Sequence, residues 1–194
     1  IKAVYEQKDQ LQLKGEDAQL LQKTYDGFVR SGANLTGEAK EKFRQLNTEL
    51  SILTLRFSQN LLKETNNYET AKDKGKEGSI ITLDAPSFVP FMKYCDDRSL
   101  RREVYMAYNT QCTHNNEYNN VDIIKQLVNI RMELAHLLGF STFAEYKLKK
   151  RMAETSDAVY KLLNQLLEAY TPAALKEVAE VEALAREMEG NDFQ

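Results

Sequence analysis

The sequence predicts an all-α fold, an elongated helical bundle organised around one long helix, with little or no β-structure. Three observations carry that expectation. Apolar residues recur at steps of three and four along most of the chain, the repeat of a helix with one buried stripe. Only 3 Pro and 8 Gly punctuate the 194 residues, so long helices can persist. Capping residues stand at the start of several periodic stretches. About seven helices are expected, including one long antiparallel pair.

Residues 1–13 carry a ragged stripe (Val4, Gln7, Leu11, Leu13) and read as the tail of a helix that begins further upstream. Residues 16–29 are clearer, with Leu20, Leu21, Thr24, Tyr25 and Phe28 in helical register. Gly32 then suits a left-handed C-cap. Thr36 is a candidate N-cap, with Glu38 in the first turn against the positive end of the helix dipole. Phe43, Leu46, Leu50, Leu53, Phe57, Asn60 and Leu61 mark the longest helix, running through Thr65. About 30 residues at ~1.5 Å each span ~45 Å, which suits an extended hairpin or bundle. Its near-heptad spacing fits either a bundle seam within one chain or a dimeric coiled coil.

Asn66 to Tyr68 end that helix, and the Lys-rich stretch 70–78 reads as a surface loop or a short frayed helix. Ile80 to Leu83 suit a short strand or extended segment. Pro86 and Pro90 can each open a helical turn but are not expected inside a helix. Phe88, Phe91, Met92 and Tyr94 crowd apolar surface between and after them. Asp96 to Ser99 offer an N-cap for a helix over 100–109 with Val104, Tyr105 and Tyr108 on one side. Residues 113–120 are polar and Asn-rich, hence a loop. Residues 121–138 form a strong helix whose buried side is marked by Ile124, Leu127, Val128, Arg131, Leu134, Ala135 and Leu138. Gly139 closes it, and Phe140 is placed for the apolar contact of a Schellman motif.

Thr142 and Glu145 fit a capping box for a helix carrying Phe143, Tyr146, Leu148 and Met152. Thr155, Ser156 and Asp157 start another, with a wide apolar face of Val159, Leu162, Leu163, Leu166, Leu167 and Tyr170. Pro172 is expected at a boundary or in the first turn of a new helix. Leu175, Val178, Val181, Leu184 and Met188 then lead to Gly190.

The stretch from Leu83 to Tyr108 reads L-D-A-P-S-F-x-P-F-M-x-Y-x-x-x-R-x-L-R-x-x-x-Y-x-A-Y. It rests on Leu83, Pro86, Phe88, Pro90, Phe91, Tyr94, Arg98, Leu100, Arg101, Tyr105, Ala107 and Tyr108. With Phe28 to Leu35, Leu127 to Arg131 and Leu137 to Phe140, it resembles the thimet-oligopeptidase-type zinc metallopeptidases, nearest the bacterial peptidyl-dipeptidase Dcp and oligopeptidase A branch. The resemblance runs across nearly the whole chain, but the family's H-E-x-x-H zinc motif is absent from these residues. It therefore implies an internal fragment, residues 1–194, of the helical non-catalytic half of a larger hydrolase. That parent would cleave short peptides with one zinc ion and hold no zinc in this segment. The junction at Tyr68, Glu69 and Thr70 is shorter than the family's, so a shortened loop is expected near 69–78.

Composition sets bounds beside that. A net charge of −3 argues against a general nucleic-acid binder. No apolar run approaches the ~20 residues of a bilayer span, so no membrane partner is expected. Cys95 and Cys112 read as two reduced thiols, a mild argument for a cytoplasmic setting, with the periplasm open if a leader was removed.

No residue is nominated for catalysis or for metal. A zinc-peptidase helix places two His at i and i+4 with a Glu general base between them. His114 and His136 lie 22 residues apart, and neither has such a partner. Cys112, His114 and Glu117 form a conceivable but nonspecific ligand cluster, against a solvated loop histidine. His136 reads as a boundary residue, and Tyr94, Tyr105 and Tyr108 as core or boundary. Asp96 and Asp97 read as helix capping, Glu180 and Glu182 as a solvated face. Arg101 and Arg102, and Lys147 to Arg151, are surface cations or, alternatively, guides for a peptide carboxylate. Substrate-binding residues stay unassigned. The resemblance implies one wall of a channel too narrow for folded proteins, with an exposed apolar patch where the missing catalytic half docks. The alternative is a freestanding helical scaffold or peptide-binding protein without catalysis.

Overall fold

A computed structural model describes residues 1–68 and 81–190. The fold is all-α. Eight helices form among the described residues, with no sheet and a single bridge residue at Ile81. The stretch 70–78, Ile80 and the junction residues Glu69 and Thr70 lie outside them. The chain divides into two units, Ile1–Gly139 and Phe140–Gln194.

In the first unit, α1 (Lys2–Glu6) packs on α2 (Gly15–Arg30). The expected N-terminal helix is thus reduced to little more than one turn. Tyr5 stacks on Tyr25 with ring centroids 3.7 Å apart, and its hydroxyl donates to Gln22 Oε1 over 3.0 Å. α2 ends in a Schellman motif: Ala33 N–H donates to the Phe28 carbonyl and Gly32 N–H to Val29. Gly32 holds φ +82° there, against the Phe43 ring.

α3 (Gly37–Asn67) is the long helix, 31 residues. Thr36 occupies its N-cap position, but its side chain makes no capping bond. α3 packs against α6 (Val121–Leu137) through Leu46, Leu53, Ile123, Leu127, Ile130 and Leu134. Phe43, Leu50, Phe57 and Leu137 close around that seam. The pair is antiparallel. Lys42 near the start of α3 reaches Glu133 near the end of α6 at 3.2 Å, while Asn60 meets Asn120 at the other end.

The buried side of α6 is rotated from the expected one. Ile123 and Ile130 are buried, whereas Ile124 and Val128 are 48% and 55% exposed. Both settings obey the same period; the clamp on Asn120, described below, fixes which one is adopted. Leu61, expected in the α3 stripe, is exposed, and Asn60 beside it takes the buried position.

α4 (Ala85–Tyr94) and α5 (Arg98–Asn109) pack together, with Phe88 stacked on Tyr108 at 4.1 Å. Pro86 lies in the first turn of α4, but Pro90 sits inside the helix, against expectation. The helix survives because only the Pro86 carbonyl loses its donor, and both prolines lie at the exposed surface where water can serve it. Asp97 caps α5, its Oδ1 accepting from Ser99 N–H and Leu100 N–H at 2.8 and 3.1 Å. Val104 is fully buried, but Tyr94 and Tyr105 are exposed, so these tyrosines are not core residues.

In the second unit, α7 (Phe143–Leu148) packs on α8 (Ser156–Glu189). Thr142 Oγ1 accepts from Glu145 N–H at 3.0 Å, and the Glu145 carboxylate accepts from the Ser141 hydroxyl and amide and from the Thr142 backbone N–H, which completes the capping box. The Ser141 hydroxyl, then its amide, hold the Glu145 carboxyl below the usual range. α7 ends before Met152, which is fully exposed. Thr155 Oγ1 caps α8 at Ala158 N–H, 3.2 Å. The helix then runs unbroken through Pro172 for 34 residues, so the boundary expected there is absent. Ala173, Ala174 and the leucines on both sides are strong helix formers that outweigh the one missing donor.

Candidate functional site

The densest polar constellation lies where the last turns of α3 meet the loop between α5 and α6. Asn60 occupies a core position of the α3 stripe, which obliges its amide to find a partner. Its Nδ2 donates to Asn120 Oδ1, and Asn120 Nδ2 donates on to the Phe57 carbonyl at 3.1 Å. Asn120 also donates its backbone N–H to the Cys112 carbonyl at 2.8 Å. Cys112 closes this turn in a left-handed conformation, φ +57°, that non-glycine residues seldom adopt.

One turn further along α3, Glu64 accepts the Cys112 backbone N–H. Thr65 Oγ1 accepts from Gln111 Nε2 at 2.8 Å, and Asn67 Nδ2 donates to the Tyr118 hydroxyl at 3.3 Å. His114 Nε2 lies 3.2 Å from Thr110 Oγ1 and 3.9 Å from Glu64 Oε1. Glu64 is the member that sequence reasoning missed. Its partner, the Cys112 amide, lies 48 residues away in sequence, so no local signal marks it.

Cys, His and Glu side chains in one place invite a nucleophile reading, but the thiol rules it out. Burial, and next its hydrogen bond to Glu64, push Cys112 up to about 12, so it stays protonated at neutral pH. The constellation is chemically a fastener: it ties the loop, and through it the start of α6, to α3. Glu117, the third member of the conceivable ligand cluster, is exposed and does not join Cys112 and Glu64. Among the described residues no group of three or more His, Cys, Asp or Glu is placed to hold a metal ion. The described residues therefore do not fit a zinc centre.

The remaining candidates are dispersed. His136 is exposed near the end of α6, and its carbonyl accepts the Gly139 N–H. Arg101 donates to the Cys95 carbonyl beyond the end of α4, a structural role, while Arg102 is exposed. Asp96 does not cap α5; Asp97 alone does. Glu180 and Glu182 pair with Lys176 and Arg186 on the solvated face of α8. Lys147, Lys149, Lys150 and Arg151 are all exposed. Cys95 and Cys112 are both free thiols.

The largest feature is a surface. No residue of α8 is buried. Tyr160, Leu162, Leu163, Leu166, Leu167 and Tyr170 are each at least 40% exposed, and the stripe continues through Leu175, Val178, Val181, Leu184 and Met188. The stripe is a continuous exposed apolar surface, the kind that distinguishes interaction faces from scattered surface apolar residues. No described helix is long and apolar enough to cross a membrane.

Comparison with known proteins gives this surface a context. The sequence profile of peptidase family M3 matches residues 91–194, which include all of α8. Oligopeptidase A of Haemophilus influenzae is 32% identical over 180 residues, covering 79% of this chain and 26% of the relative. Oligopeptidase A of Escherichia coli is 31% identical over 191 residues, 85% of this chain and 28% of the relative. The dipeptidyl carboxypeptidase of Escherichia coli is 28% identical over 213 residues, 98% of this chain and 31% of the relative. The chain spans between a quarter and a third of the length of these curated relatives.

Proposed function

The chain belongs to peptidase family M3, and from that premise we propose that it is a non-catalytic helical segment of a zinc-dependent oligopeptidase of the peptidyl-dipeptidase type, forming one wall of the channel that admits short peptides. The observation that carries this reading is α8: a 34-residue helix inside the matched span, with no residue buried and an apolar stripe along its length. A stripe of that size in water favours association with a complementary protein surface. In this reading the surface is the catalytic half of the parent.

Residues 1–194 then act as one segment, and bond cleavage belongs to the partner half. Zinc bound there supplies Lewis-acid activation of water and of the scissile carbonyl. This segment contributes steric exclusion, because a wall opposite the metal admits an unstructured peptide and rejects a folded domain. By itself it is inactive, holds no zinc, and binds neither nucleic acid nor membrane. The two free thiols, one buried and one half-buried, support a reducing, cytoplasmic location for the parent. The uncovered α8 face weighs against the freestanding scaffold, which would bury its apolar surface unaided.

Complementation tests the proposal. The chain is co-expressed with a catalytic half from an M3 relative, and zinc-dependent cleavage of a quenched fluorescent peptide is followed. Turnover is expected only from the copurifying pair. Stoichiometric zinc-dependent turnover by the pure chain, or a monodisperse chain that ignores the catalytic half, would overturn it.

A further inference from the structure

The apolar stripe of α8 has a symmetry that contact with an unrelated surface does not require. From Leu163 to Val181 its positions step by three, four, four, four and three residues, a series that reads the same in either direction. Leu163 and Val181, Leu166 and Val178, and Tyr170 and Ala174 stand at equal distances on the two sides of Pro172. Val159 and Ala185, both half-buried, continue the series by one step at each end. Pro172 itself falls on the opposite face, about 160° around the axis from Tyr170 and from Ala174 at ~100° per residue.

Such a stripe complements itself. When a second copy of α8 lies antiparallel with its midpoint at the level of Pro172, each apolar position meets an apolar position. Leu163 shares a layer with Val181 of the second copy, Leu166 with Val178, and Tyr170, the largest member, with Ala174, the smallest. Large opposite small is how facing layers interdigitate. Leu163, Tyr170, Val178 and Val181 are each more than half exposed in the single chain. Steps of three and four are those of a coiled-coil seam, and the run of fours at the centre is a stutter that unwinds the supercoil locally. Both copies carry the stutter at the same level, so it leaves the register intact.

Charge decides the orientation. Glu177, Glu180, Glu182, Glu187 and Glu189 gather in the second half of the helix, against two cations, Lys176 and Arg186. Parallel copies would set these acidic halves side by side, with Glu177 of one copy facing Glu182 of the other at the five-residue offset that flanks a parallel seam. Like charges so placed oppose pairing. Antiparallel copies lay the acidic half along the first half, which holds Lys161 and only two carboxylates, Asp157 and Glu168. The two helix dipoles then oppose as well.

The size is sufficient. At ~1.5 Å per residue the 34-residue helix is about 50 Å long. A contact strip about 10 Å wide on each copy gives about 1,000 Å² in all, the lower bound of a specific interface.

We propose that α8 is a homodimerisation helix: two copies of this chain pair antiparallel through it, about a twofold axis at the level of Pro172. The pairing uses the face given above to the catalytic half, so the two contacts exclude one another, and the second copy occupies the stripe when the catalytic half is absent.

Disulfide trapping tests this in a Cys95→Ser background, where the remaining native thiol, Cys112, is buried. Leu166→Cys and Val178→Cys are made singly and together. Along one helix the two sites lie about 18 Å apart at ~1.5 Å per residue, well beyond the ~7 Å between Cα atoms that a disulfide spans, so they cannot close within a chain. In the antiparallel pair each site meets the other across the seam and lies about 18 Å from its own copy. Under mild oxidation the double variant should therefore form a covalent dimer at least about tenfold faster than either single variant. The unsubstituted chain should show a concentration-dependent equilibrium between monomer and dimer in sedimentation velocity, a readout that stands even where a cysteine variant loses its helical circular dichroism. A single variant that crosslinks as fast as the double one, a ladder of higher oligomers, or an unsubstituted chain that stays monomeric at every concentration overturns the proposal. Failed trapping leaves the channel-wall reading standing, and failed complementation leaves the dimer standing.

Discussion

Asn60 and Asn120 meet across the α3–α6 seam, Asn60 Nδ2 donating to Asn120 Oδ1 over 2.9 Å, with both residues at least nine-tenths buried. They are the only buried polar residues among those described. The pair sets the rotation of α6 about its axis, because Asn120 is at once the N-cap position of α6 and a partner of the Phe57 carbonyl.

Breaking one side of the pair should cost more than replacing both. Asn120→Ala leaves the buried Asn60 amide without its partner, an expected loss of about 1–3 kcal/mol. The double replacement Asn60→Leu with Asn120→Leu should cost less than the sum of the single changes, since no orphan amide is left. Urea unfolding of the wild type, Asn60→Leu, Asn120→Leu and the double variant measures the coupling. Simple additivity would mean the hydrogen bond does not bind the seam.

That pair also marks the limit of what the sequence made legible. Periodicity found α3 and its core residues Leu46 and Leu53, because a 3.6-residue repeat is a local property. It could not choose between Ile123 and Ile124 as the buried neighbour, since both lie on stripes of the same period. The choice is made by a contact sixty residues away in sequence. Glu64 was invisible for the same reason: nothing local says that a carboxylate on α3 will receive the Cys112 amide.

The prolines misled for a different reason. Their cost is local, but whether it breaks a helix depends on whether water can reach the carbonyl left without a donor, and exposure is a property of the fold. The zinc-peptidase resemblance, by contrast, rested on side-chain identities between Leu83 and Tyr108, and the family match overlaps that stretch from Phe91 onward.

The Cys112 thiol predicts a selective reactivity. In the native protein, alkylation should modify half-buried Cys95 first and Cys112 only after unfolding. Because folding raises Cys112 from about 9 to about 12, its contribution to stability is fully present below pH 9. It is lost as pH climbs from there toward 12, since the unfolded thiol ionises first. Thermal melts between pH 8 and about 11 should fall more steeply for the wild type than for Cys112→Ala. Parallel curves would show that the thiol is not held protonated by folding.

Gly32→Ala should be among the costlier single-methyl additions. A left-handed alanine costs about 1–2 kcal/mol. The new Cβ would also meet the Phe43 ring at 2.8 Å. Phe43 borders the α3–α6 core, so the displaced ring adds to the loss. A fall in unfolding free energy of about 2 kcal/mol or more is expected. A neutral result would mean that Phe43 moves aside freely and does not anchor the α2–α3 turn.

Pro172→Ala separates propensity from packing in α8. A proline inside a helix costs about 3 kcal/mol relative to alanine. Nothing in the second unit buries this part of α8, so little packing can mask the gain. Restoring a donor toward the Glu168 carbonyl should slow amide exchange through the flanking turns and raise ellipticity. Unchanged exchange around residue 172 would show that the helix is already limited elsewhere.

The apolar face of α8 carries the last prediction. Leu163 and Leu166 are 51% and 40% exposed and lie three residues apart on the stripe. Replacing both with lysine removes no buried contact, so thermal stability of the chain should change by less than about 0.5 kcal/mol, as for surface sites generally. Self-association of the pure chain should nonetheless fall, read as a shift toward monomer in sedimentation velocity at rising concentration. Complex formation with an M3 catalytic half should fall with it if, as proposed above, the same stripe serves both contacts. A double variant that keeps full complex formation would move the docking surface off α8, whereas one that unfolds would show that the stripe is already packed within the chain.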